Sequence, residues 1–329
     1  MISASWHSPR KPKQRSKVLR AAPDFLSSSR APRQAIARLT LALVILLPLG
    51  GCGGGGGILD PQGPIAAQEL LLLINSTAIM LVVVVPVILA TVAFAWWYRS
   101  SNGHAGHITD ESFEGRMEFV VWSIPALIVI LLGGVIWIGS HQLDPHAPIP
   151  GKSDPLRVDV VALDWKWLFV YPDKGVAAVK QLVIPVGTPV QFRITSATVM
   201  NSFFIPQLGS QIYAMGGMTT HLNLLADNLG EFPGLSANYS GDGFAEMRFV
   251  AKAVSAGDFD AWVNQARGTG SALDDTAYAE LAKPSTAVPP KTYGSVMPNF
   301  FEHILDLTIS GPQKPTGAAM TMPVQQAGD

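Results

Sequence analysis

The chain has 329 residues, of which 48% are hydrophobic and only 14% charged, with a formal net charge of −1 and a single cysteine. That balance is too apolar for two ordinary soluble domains and points to membrane segments. Nine of the 23 Lys and Arg precede Thr40, so the part from Cys52 onward holds 14 basic against 23 acidic residues. Such a surplus of acid excludes nucleic-acid binding, and one cysteine excludes an internal disulfide.

Residues 1–51 read as a targeting segment: a basic stretch ending at Arg38, an apolar run from Leu39 broken by Pro48, then Leu49-Gly50-Gly51-Cys52. The apolar run is too short to cross a bilayer. Its end resembles a bacterial lipobox, which implies that Cys52 is acylated on the outer face of the inner membrane and becomes the new N-terminus. Residues 52–69 form a Gly-rich linker. A first span covers 70–98, free of charge until Arg99 and long enough for a bilayer of about 30 Å. Pro86 predicts a bend near its middle, and Trp96, Trp97 and Tyr98 close it as an interfacial aromatic belt. Residues 99–117 are a loop, cytoplasmic if Cys52 is acylated outside. The second span, 118–139, starts at Glu118 and contains Pro125 and the small pair Gly133-Gly134, which would admit a close helix neighbour. Residues 140–155 form a linker between this span and the next domain.

From Leu156 the pattern changes to period two. Trp165, Trp167, Phe169 and Tyr171 recur at every second position, which predicts one sheet face, and Val190, Phe192 and Ile194 alternate with polar residues in the same way. Short strands separated by Gly and Pro turns over 156–253 indicate a Greek-key β-sandwich. The aromatic strip is read as packing, against the core or a partner subunit. Beyond it, 254–310 reads as a helical, aromatic-rich segment, with Phe259, Trp262, Val263 and Ala266 on one stripe, and 311–329 as a disordered tail.

No set of metal ligands is assembled by spacing. His221 is alone in the sandwich, His104 and His107 fall in the loop, and His141 and His146 flank the second span, so all five read as scattered surface residues. There is also no nucleophile elbow, phosphate-binding Gly-rich loop or paired catalytic carboxylates.

The stretch Gly230 to Met247, GEFPGLSANYSGDGFAEM, taken with Asn201-Ser202-Phe203, resembles the copper loop of subunit II of the haem–copper respiratory oxidases. Aligned on Gly230, Phe232, Gly234, Gly241 and Met247, that family's cysteine positions fall on Ser236 and Ser240, its glutamate on Asn238, its loop histidine on Phe244 and its upstream histidine on Asn201. Only Met247 keeps a ligand atom. A copper pair needs bridging thiolates, and a blue-copper site needs a thiolate with imidazoles, so this loop is not expected to bind copper. With Leu163-Asp164-Trp165-Lys166-Trp167-Leu168-Phe169 and Gly209-Ser210-Gln211-Ile212-Tyr213-Ala214-Met215, the chain is similar to subunit II of the cytochrome bo-type ubiquinol oxidases, the branch of the family without the copper site.

The resemblance implies a cupredoxin-like sandwich on the periplasmic side of the inner membrane, carried by a two-helix hairpin. It implies subunit I and other membrane subunits as partners, ubiquinol as the substrate of the complex, and haem and copper held in subunit I rather than here. It also makes Glu118 a candidate entrance to a proton path, although an acid stabilising a helix N-terminus is an equal reading. A stand-alone lipoprotein binding module and a cytochrome c oxidase subunit II are the alternatives.

Overall fold

The computed structural model describes residues 57–103, 106, 115–151 and 153–310. The expectations for Cys52, His104, His107, the targeting segment and the tail lie outside the described residues.

Two long helices come first, α1 (Pro64–Trp97) and α2 (Gly115–Gln142), each long and apolar enough to cross a membrane. Helix α1 begins earlier than the apolar run at Leu70. Pro64 is suited to a first turn, where its missing amide costs nothing, and Gln68 and Glu69 extend the helix outward. Pro86 lies inside α1, which continues without a break. Helix α2 likewise overruns the expected span at both ends. The two helices meet where Leu72 seats against Gly139: a Cβ at Gly139 would come within 2.5 Å of the Leu72 side chain. Gly133 and Gly134 face open space, and most of the apolar side chains of both helices point outward, as they must to face lipid or other subunits.

The rest is a two-layer β-sandwich. Its strands are β1 (Leu156–Leu163), β2 (Lys166–Tyr171), β3 (Val176–Val179), β4 (Gln181–Pro185), β5 (Val190–Ser196), β6 (Asn201–Phe204), β7 (Ile212–Ala214), β8 (Thr220–Leu224), β9 (Gly230–Ser236) and β10 (Arg248–Val254). After them come α3 (Ala256–Thr269), β11 (Ser271–Leu273), α4 (Asp275–Leu281), β12 (Lys291–Val296) and α5 (Phe300–Ser310). One sheet runs β11-β12-β3-β2-β1-β5-β8 and the other β4-β10-β9-β6-β7. Non-sequential neighbours, with parallel pairs β1·β5 and β4·β10, give the crossed connections of a Greek-key sandwich.

Alternation places Val158, Val160, Trp167, Phe169 and Tyr171 between the sheets, where Trp167 and Phe169 pack on Phe203 and Phe249. The opposite face of β1 and β2 is buried as well. Val161, Leu163, Leu168 and Val170 lie under Tyr278, Phe300, Phe301 and Ile304 of the C-terminal segment. That segment therefore packs on the sandwich, a choice the sequence leaves open. It is also not purely helical, because β12 joins the free edge of β3, with Tyr293 opposite Ala177. In α3 the Ser255 hydroxyl accepts from the Asp258 amide at 3.1 Å and caps the helix, and Phe259, Val263 and Ala266 are buried.

Trp165 departs from the strip. Leu163 pairs with Lys166, so Asp164 and Trp165 form a two-residue hairpin turn, with Trp165 in the left-handed region at a φ of 62°. Its indole leaves the sheet face and lies over Gly243, where a Cβ would come within 2.4 Å of the ring.

Candidate functional site

The six positions aligned with copper ligands gather where three strands end. Ser236 closes β9, Met247 precedes β10, and Asn201 opens β6, while the ladder joins β9 to both neighbours through Leu235 opposite Arg248 and Phe203 opposite Ser236. This pairing brings residues more than thirty positions apart in sequence into contact.

What fills the place is a hydrogen-bonded network of neutral groups. The Ser236 hydroxyl donates to Asn201 Oδ1 at 3.1 Å, has the Asn238 carbonyl at 3.3 Å, and accepts from the Ser202 amide at 3.4 Å. Asn201 Nδ2 donates to the Val199 carbonyl at 3.0 Å, and Asn238 Nδ2 to the Met200 carbonyl at 3.3 Å. The Ser240 hydroxyl points at Met247 Sδ, 3.8 Å away, while the Trp165 indole donates to the Ser240 carbonyl at 3.0 Å. Asn201, Ser236 and Met247 are buried. Phe244 stands apart from these bonds, edge-on to the exposed Tyr239 with ring centroids 5.7 Å apart.

The chemistry of this donor set does not fit copper. Two hydroxyls, two carboxamides and one thioether supply no thiolate and no imidazole, and hydroxyl and amide oxygens are poor partners for a soft or borderline ion. The polar groups instead satisfy one another, which a buried polar cluster must do to avoid a desolvation penalty. Ser236 is the hub. Ser236→Ala is expected to destabilise the domain by about 1 to 2 kcal/mol, because Asn201 and the Ser202 amide lose their shared partner. Chemical denaturation monitored by tryptophan fluorescence checks this.

Glu118 lies in the first turn of α2 and is exposed on the helix surface. His141 Nδ1 sits 2.8 Å from the Trp137 carbonyl. His146 and His221 are not scattered singly: the Asn223 amide donates to the Pro145 carbonyl at 3.1 Å, and this joint leaves the two imidazoles 5.6 Å apart. Among the described residues no group of three or more His, Cys, Asp or Glu is arranged to hold a metal ion.

Two charged features leave no mark on the sequence pattern. Asp159 is buried and held by a two-pronged contact from Arg193, with Nε and Nη2 donating at 2.7 and 2.8 Å. Arg193 Nη1 donates to Glu302 of α5 at 2.8 Å, and its guanidinium lies 4.6 Å from the centre of the Phe301 ring. Burial holds the Asp159 carboxyl above its ordinary value and the Arg193 charge pulls it part of the way back. Lys166 is buried too, its ammonium donating to the Lys283 carbonyl at 2.8 Å and to the Ser285 hydroxyl, and desolvation lowers its pKa. Asp159 faces Arg193 across a parallel ladder between β1 and β5, a register that no local pattern reveals.

This architecture has known relatives. Residues 174–254 match the family model described as Cytochrome C oxidase subunit II, periplasmic domain, and residues 267–310 match COX Aromatic Rich Motif. The chain is 49% identical to the Cytochrome bo(3) ubiquinol oxidase subunit 2 of Pseudomonas putida over 79% of this chain and 82% of that one. It is 47% identical to the Pseudomonas aeruginosa protein of the same name, over 83% and 82%. It is 44% identical to the Ubiquinol oxidase subunit 2 of Acetobacter aceti, over 85% and 91%. At this identity over most of both lengths, the chain belongs to the ubiquinol oxidase subunit 2 family.

Proposed function

We propose that this chain is the non-redox subunit of a proton-pumping terminal oxidase that takes electrons from ubiquinol and reduces oxygen to water. The single observation that carries this reading is the ligand exchange at the loop: serine, asparagine and phenylalanine stand where a copper-bearing relative needs cysteine, glutamate and histidine. An oxidase that received electrons from a soluble donor through this domain would need a metal relay, and the groups present cannot supply one. Electrons from a membrane quinol need no such relay. The relatives named as ubiquinol oxidase subunit 2 support the same conclusion.

On this reading the chain contributes packing. Its hairpin offers apolar helix surface to subunit I and other membrane subunits, with haem and copper held in subunit I, and its sandwich stands on the periplasmic side of the inner membrane. Cys52 would add a lipid anchor. Oxygen uptake by the complex purified through an affinity tag on this chain tests the reading: haem and rapid uptake with ubiquinol support it, and a preparation without haem contradicts it and favours a stand-alone lipoprotein. Glu118 is the proposed entrance for protons. Glu118→Gln is expected to slow turnover severalfold while leaving haem content unchanged, and Glu118→Asp to recover most of the rate, as measured by oxygen uptake across a pH series. Equal rates in all three proteins would leave Glu118 only its role at the helix N-terminus.

A further inference from the structure

Between the outer ends of the two membrane helices and the underside of the sandwich lies a cavity of about 440 Å³. Ile65 and Glu69 of α1 and Gln142 and Asp144 at the end of α2 form its helix side, and Leu222 and Asp227 face them from the sandwich. The walls are fixed from both sides. The Ser210 amide donates to Glu69 Oε1 at 3.0 Å, and the Asp227 amide donates to the Gln62 carbonyl at 2.8 Å. Opposite, the main-chain and side-chain nitrogens of Asn223 both donate to the Pro145 carbonyl, each at 3.1 Å.

The lining contains no lysine, arginine or histidine. Glu69 is half-buried and held by Ser210 through both its amide and its side chain, and the Asp227 side chain has no hydrogen-bond or ion-pair partner among the described residues. Among the described residues no three such side chains are arranged to hold a metal ion. A cavity of this volume, with carboxylates and no cationic side chain in its lining, suits an occupant larger than a bare ion that can donate hydrogen bonds. Directly below, Leu71, Leu73, Trp137 and Ile138 are exposed apolar residues of the two helices. Hydrocarbon would lie along them in a bilayer.

We propose that this cavity binds the headgroup of an amine-bearing phospholipid of the phosphatidylethanolamine type. Its primary ammonium would enter toward Glu69 and Asp227, its phosphate would stay at the mouth, and its acyl chains would run down the bare helix flank. A quaternary choline headgroup has no N–H to donate, and an anionic glycerol headgroup meets like charge, so both are disfavoured. The site is built from the seam between this chain's own helices and sandwich, and so is independent of the oxidase reading.

The test uses the protein purified with its partner subunits, delipidated in neutral detergent and titrated with phosphatidylethanolamine, phosphatidylcholine or phosphatidylglycerol, with bound lipid counted by native mass spectrometry. The expected result is about tenfold tighter binding of one phosphatidylethanolamine than of either rival, a charge-assisted preference that Glu69→Gln and Asp227→Asn each reduce. Asp227 is exposed and uses only its main chain in the seam, so its variant is expected to fold normally. Equal binding of the three lipids, unchanged binding in both variants, or ubiquinone bound there in place of the lipid would each overturn the proposal. Oxygen uptake measured on the same samples separates this outcome from a failure of the oxidase reading.

Discussion

Arg193→Ala is expected to destabilise the sandwich by about 3 kcal/mol at neutral pH, because it leaves the buried Asp159 carboxylate without its counter-charge. The value sits at the low end for broken buried pairs, since the Arg193 side chain is itself 37% exposed. The same substitution removes the contacts to Glu302 and Phe301 that tie α5 to the sheet, so the C-terminal segment should be cut more readily by protease. The pH dependence has a definite sign. Asp159 titrates above its ordinary value of 3.8 in the folded protein, so the folded state binds its proton more tightly than the unfolded chain does. This group therefore favours folding on the acid side and loses that contribution as pH rises through the window above 3.8. Without Arg193 the window widens upward, and the deficit of the variant should be largest near neutrality and shrink as pH falls toward 4, roughly the ordinary carboxylate value. Denaturation at a series of pH values measures it; a deficit independent of pH would mean that Arg193 acts only through packing.

Trp167→Ala is expected to cost about 4 kcal/mol, the largest effect of any single truncation in the inner core. The indole is completely buried and meets Phe203 and Phe249 edge-on, with centroids 5.4 and 5.9 Å away, and those two rings stack on each other at 5.2 Å. Removing it opens a hole that the two sheet-borne rings cannot close. Trp167→Phe should behave differently. The Trp167 Nε1 is buried with no hydrogen-bond partner, so the smaller ring removes an unpaired donor as it gives up contact area, and the net cost is expected to stay near about 1 kcal/mol. If the strip only packs, Trp167→Phe should also leave ubiquinol oxidation at the wild-type rate. A fall in turnover without a fall in stability would give this residue a part in electron transfer.

Much of the architecture is legible in the sequence because its signals are local. The two apolar runs, the alternation from Leu156 and the capped stripe beginning after Ser255 each arise from side-chain period and turn chemistry. The missing cysteines and histidines of the loop can be counted directly. What stays hidden depends on pairing across the chain. The contact of β12 with β3 and the burial of Leu168 and Val170 beneath Phe300 and Phe301 come from tertiary packing of a segment whose own pattern looks helical. Trp165 obeys the period-two spacing and still leaves the sheet, because the hairpin register and its left-handed backbone override the count. The Ser236 network could be anticipated as a set of positions but not as bonds, since β6 and β9 must be in register before Asn201 and Ser236 meet.

The most direct measurement compares ubiquinol with reduced cytochrome c as electron donor to one purified preparation of the complex, with copper counted per molecule of this chain. A loop of serine, asparagine and phenylalanine predicts rapid oxygen uptake from ubiquinol, none above background from cytochrome c, and no copper beyond that held by the other subunits. Uptake driven by cytochrome c, accompanied by copper bound to this chain, would contradict the ligand chemistry of Ser236, Ser240 and Met247.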